Sequence, residues 1–150
     1  MQKIRKVAVI IIMFFMFLNS LFFIGIGVYK SIYAYVLIVE GRLEERPGVF
    51  IGEALDSFLI SLFFIIFSMG VSKLFLPDST LLKGVDLPWL KIEHFSELKL
   101  IIWEMLLTTL FVYFFTIILL NGENMEWTML VIPGSILLLS VAYKLLKKGH

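Results

Sequence analysis

Apolar residues in this chain come in long runs rather than in alternation. Residues 7–29, VAVIIIMFFMFLNSLFFIGIGVY, carry no charge. As a helix rising 1.5 Å per residue the run reaches roughly 34 Å, enough to cross a bilayer. Three further runs, residues 54–76, 98–120 and 127–146, are mainly apolar with one or two charges each. The pattern predicts an all-α membrane protein: one integral membrane domain, four transmembrane helices in a bundle. The N-terminal MQKIRK and its greasy run imitate a signal peptide. The run exceeds the usual 7–15 residues of a signal core, and no convincing small-x-small site follows. It reads as a retained first span.

Span 1 stays apolar through residues 31–39, so its helix is expected to tilt or to project past the membrane. Ser20, Gly27, Ser31 and Ala34 fall close to one face and suit close helix packing. Asn19 is a mid-membrane polar group that wants an interhelical partner. Residues 40–52 read as a solvated loop, with Pro47-Gly48 as its turn. Span 2 ends at Pro77-Asp78. Residues 77–95 are half apolar but broken by Gly84 and Pro88, and are expected to lie on the membrane surface with Trp89 in the headgroup layer. Span 3 opens with Ser96 as N-cap and Glu97 in the first turn, and stops at Asn121-Gly122. A short loop then makes spans 3 and 4 an antiparallel hairpin. Pro133 is placed near the middle of span 4, where the carbonyl of Met129 loses its partner. That makes Pro133 a packing kink or a hinge.

Charge orients the spans. Lys3, Arg5, Lys6, Lys73, Lys83, Lys91, Lys99, Lys144, Lys147 and Lys148 fall on one side. Lys30, Arg42 and Arg46 fall on the other. Ten against three predicts both termini in the cytoplasm of a cell (inner or plasma) membrane. No internal repeat supports an inverted-repeat transporter.

Composition narrows the chemistry. The 150 residues are 60% hydrophobic and 17% charged, against near half and a quarter in soluble domains. A net charge of +1 predicts no nucleic-acid partner. There is no cysteine, and the two histidines are His94 and His150. No zinc motif, phosphate loop or Ser–His pair at membrane depth is present, so neither an enzyme nor a cofactor or metal site is expected. Fifteen phenylalanines argue against a wide aqueous lumen within one protomer.

The candidates that remain are polar groups on or near the spans. Asp56 is expected in the first turn or so of span 2, near the outer interface, with Glu53 one turn further out. There they either favour the positive end of the helix or form an acidic ring that selects cations. Ser57, Ser61, Ser68 and Ser72 share one side of span 2 with Ala54. This is a packing face or a water-facing stripe. Lys73 lies on another side and can reach the inner surface. Glu104, one turn before Thr108, is either an interfacial acid or a buried one with proton-carrying chemistry. Thr109, Tyr113 and Thr116 make a weaker polar seam. Trp89, Trp103 and Trp127 are candidate interface anchors.

ALDSFLI, IIFSMGVSKLF and DLPWLKIEHFSELK, in this order between a charged first span and two closing spans, give the chain a resemblance to a known family. It resembles the YqhA family of small four-span bacterial and archaeal membrane proteins, most strongly over residues 53–105. The resemblance implies fold and topology and no catalytic set. Its matched candidates are Asp56, Lys73, Trp89 and Lys91. The combined expectation is a homo-oligomer in the lipid bilayer, acting as a channel or carrier for small ions or small organic acids. The alternative is a non-transporting scaffold or accessory subunit working through residues 77–95 and the outer loop.

Overall fold

The first helix, α1, runs Gln2–Val39 and is 38 residues long, about 57 Å. It belongs to a computed structural model that describes residues 2–76, 94–122 and 126–149. The other helices are α2 (Pro47–Phe75), α3 (Phe95–Asn121) and α4 (Val131–Lys148), the last preceded by a 3-10 turn, Trp127–Leu130. All four, with that turn counted into the last, are long and apolar enough to cross a membrane. The chain is therefore a multi-pass membrane protein. The expected surface segment, with Pro88, Trp89 and Lys91, lies outside the described residues.

Burial along α1 follows the pairing of α1 with α2. Positions 9, 13, 16, 20, 23, 27, 30, 34 and 37 are buried or half-buried, spaced alternately by four and three. On α2, positions 50, 54, 57, 61, 64, 68 and 71 repeat the spacing. A mean period of 3.5 is the signature of two helices that wind around each other with a left-handed supercoil. The pair is antiparallel. Tyr33 meets Phe50 edge-on at 5.0 Å, Phe23 stacks on Phe64 at 5.8 Å, and Ser68 donates to the Met13 carbonyl at 3.4 Å. Gly27 is required where the Phe58 ring crosses α1: a Cβ there would lie 2.6 Å from the ring. Lipid tails are as apolar as these side chains, so close packing rather than water exclusion holds the seam.

The connection is shorter than expected. Gly41, at φ +72°, turns the chain out of α1, and the Arg42 N–H closes on the Leu37 carbonyl. Arg46 takes the left-handed region at φ +51°, and Pro47 starts α2. Pro47-Gly48 is thus the first turn of a helix rather than the turn of a loop. A proline at the first helical position forfeits only an N–H that would be unpaired anyway. The shift lengthens α2 by seven residues beyond the expected start and places Asp56 in its third turn.

α3 runs antiparallel to α2. Thr116 faces Gly52, and Arg46 donates to the Leu120 carbonyl. At the opposite end Leu98 packs with Val9, Val71 and Leu76 in the most buried cluster. The cap of α3 is His94, not Ser96: the His94 side chain accepts from the Glu97 backbone, and Glu97 accepts from the His94 N–H at 3.3 Å. The Glu97 carboxylate reaches back to position 94, so Ser96 is already inside the helix. The expected stop holds, with Gly122 at φ +51° donating to the Ile118 carbonyl.

α4 pairs with α3 and has no buried residue, whereas α2 is the most buried of the four. Among the described residues the helices pack in chain order, with α2 between α1 and α3. Pro133 sits in the first turn of α4, two residues after the 3-10 turn gives way to α-helix. There its missing N–H falls where the 3-10 turn gives way to α4.

Candidate functional site

The antiparallel succession sorts charge to two ends. Lys3, Arg5, Lys6, Lys73, Lys99, Lys144, Lys147 and Lys148 lie at one end. Glu40, Glu44, Glu45, Glu53, Asp56 and Glu126 lie at the other, with Lys30, Arg42 and Arg46. Lys6 and Lys30 are separated by about 36 Å of α1, and Glu53 and Lys73 by about 30 Å of α2. These separations match a bilayer core of about 30 Å.

The acidic end has an ordered centre. Lys30 Nζ lies 2.6 Å from Glu53 Oε2, linking α1 to α2, and both side chains are about one-third exposed. Glu53 is held by the same packed turn that buries Ala54 and Ser57, whose hydroxyl donates to the Glu53 carbonyl at 2.9 Å. Asp56 follows Glu53 by three residues, one turn further along α2. Asp56 falls within about 40° of Gly52, Ile60 and Phe63, on the α3 side of α2. Its Oδ1 is buried without a hydrogen-bond partner. The cluster holds two carboxyl groups and one ammonium.

Lys30 is the partner that single-helix reasoning missed. Its signal was available: in an antiparallel hairpin, a lysine ending span 1 and an acid opening span 2 must approach one another. Farther out, Arg42 bonds to Glu40 at 3.0 Å and also to Glu45. Those two bonds hold its guanidinium pKa above the ordinary arginine value.

The serine stripe lies on the α1 side of α2. Ser57, Ser61, Ser68 and Ser72 are all buried, and Ser68 reaches α1 directly. Ser61 and Ser72, with Ser20 on α1, carry hydroxyls that are buried and unpartnered. The stripe and Asp56 point to different neighbours, α1 and α3. Lys73 is half-buried in the last turn of α2, at the far end from Glu53.

Glu104 reaches α4. It is exposed on α3, where it accepts from the Tyr143 hydroxyl of α4, while Thr108 donates to its backbone carbonyl at 2.8 Å. α4 covers only one flank of α3, which leaves the carboxylate at an open edge. Trp103 is half-buried and Trp127 is 87% exposed. Trp127 borders a cavity of about 260 Å³ with Phe114, Ile118, Glu126, Met129 and Leu130. Another, of about 220 Å³, lies between α2 and α3 at Ile60, Phe63, Ile102, Met105, Leu106 and Thr109, inward of Asp56. Among the described residues no group of three or more His, Asp or Glu side chains could hold a metal ion.

No curated protein and no solved structure matches the chain. The model described as "Uncharacterized protein family, UPF0114" matches residues 2–118, which span the charged cluster, the serine stripe and nearly all of α3. With that much of its length matched, the chain belongs to this family, which is the YqhA family its residues resemble.

Proposed function

We propose that the protein moves small ions across a cell membrane, with Glu53 and Asp56 at the outer mouth, Lys73 at the inner one and both termini in the cytoplasm. The observation that carries this reading is the buried, unpartnered Oδ1 of Asp56 beside the Lys30–Glu53 pair. Ionisable groups on membrane-spanning helices are costly and are functional by default. A cluster of two carboxyl groups and one ammonium favours a small cation; small organic acids are the competing cargo. In this reading the buried Ser57, Ser61 and Ser68 pack α2 against α1 and do not line the path. The path wall then comes from the α2–α3 side or from further copies in a homo-oligomer.

Purified protein in liposomes should pass monovalent cations faster than empty vesicles, and Asp56→Asn should remove most of the difference. Flux at the empty-vesicle level for cations, anions and labelled organic acids alike would sink the proposal. The orientation has its own test. The 150 residues hold no cysteine, so single cysteines at Arg42 and Lys147 can be labelled cleanly. An impermeant reagent outside cells should reach the first and not the second.

A second reading, a non-transporting scaffold, is favoured by that same buried serine face. It predicts no flux and a constant partner recovered by crosslinking in native membranes.

A further inference from the structure

Asn19 lies between Lys6 and Lys30, about 20 Å along α1 from the first and about 17 Å from the second. This is the middle of the apolar length. Its amide is exposed, off the seam with α2, and among the described residues it has no hydrogen-bond partner. Its neighbours on that face, Ile12, Phe15, Phe22 and Ile26, are exposed and apolar. Neither water nor lipid headgroups reach this depth, so the amide must find its partner in protein. Even a bond back to its own helix, as Asn121 makes to the Ile117 carbonyl, would use one donor and leave the amide oxygen and the second donor unmet.

We propose that the Asn19 face of α1 is a self-association surface and that its occupant is the same face of a second copy. The amide is self-complementary, offering a donor and an acceptor to an identical amide across a two-fold axis. Such an axis along the membrane normal sets parallel copies of α1 side by side with residue 19 opposite residue 19. Interhelical amide bonds of this kind hold model helices together in lipid. The inference rests on the assembly of copies in the proposed function and names the face that the assembly uses.

The test keeps Asn19 in place. Phe15→Cys and Phe22→Cys flank it on the same face, whereas Leu21→Cys, equally exposed, points the opposite way. In native membranes under mild oxidation the first two should give disulfide-linked dimers and Leu21→Cys should not. Adding Asn19→Leu to Phe22→Cys should weaken dimerisation by about tenfold; Asn19→Gln should restore most of it. Oligomers by native mass spectrometry without crosslinking through positions 15 and 22 would overturn this face while sparing the proposed assembly. Crosslinking indifferent to Asn19→Leu would overturn the role of the amide. A monomer under all conditions would overturn both.

Discussion

Lys30 and Glu53 form an ion pair of 2.6 Å between α1 and α2, which Ser68 also joins by donating to the Met13 carbonyl at 3.4 Å. Removing one partner of a fully buried pair costs about 3–5 kcal/mol, chiefly because the other charge is left stranded. Here the side chains keep 30% and 37% of their exposure, so water screens part of that cost. Lys30→Met and Glu53→Gln are each expected to destabilise the protein in detergent by about 1–2 kcal/mol. The double variant should recover at least half of the summed loss. Strictly additive losses would mean that the two charges do not interact in the membrane protein.

A Cβ at Gly27 of α1 would lie 2.6 Å from the Phe58 ring of α2. Gly27→Leu should cost about 1–3 kcal/mol, because the ring must move before the helices can close. Gly27→Leu with Phe58→Ala should restore part of that loss. Gly25 is an internal control, since a Cβ there meets nothing within 4 Å. Gly25→Ala should leave stability unchanged or raise it by up to about 1 kcal/mol through helix propensity. Equal losses at Gly25 and Gly27 would refute the α1–α2 register.

Those two seams mark what sequence could disclose. The spans were legible because a lipid-crossing helix needs a run of apolar residues whatever it packs on. The small residues Ser20, Gly27 and Ala34 were legible as a contact face for the same reason. The start of α2 was not, because Pro47-Gly48 is both a turn signal and a good helix opening. Only the left-handed backbone at Arg46 decides between them. Glu104 was ambiguous because one helix alone does not reveal how many neighbours cover it. The Lys30 partner needed two helices in register, which composition does not contain.

Arg46 donates to the Leu120 carbonyl and so closes the free C-terminal end of α3. A cation there also suits the negative end of the helix. Arg46→Ala should fray the last turn of α3, speeding hydrogen exchange at the Asn121 and Gly122 amides by a factor of about 2–10. Arg46→Gly relieves the φ of +51° but loses the same bond, so it should match Arg46→Ala at these amides while costing less global stability. Unchanged exchange in both variants would show that Arg46 does not cap α3.

Ser20 and Ser61 are fully buried on the facing stripes of α1 and α2, and neither hydroxyl has a partner. A dry, unpartnered hydroxyl costs desolvation without return, so deleting it should help. Ser20→Ala and Ser61→Ala are each expected to leave stability unchanged or raise it by up to about 1 kcal/mol. If a water or a direct bond joins the two, each variant should instead destabilise, and the double should lose less than the sum. Flux adds a second readout. With Asp56 leading the path on the α3 side, Ser61→Ala should leave transport intact where Asp56→Asn removes it. Loss of flux on Ser61→Ala, with the fold retained, would move the path into the α1–α2 seam and make the serine stripe its wall.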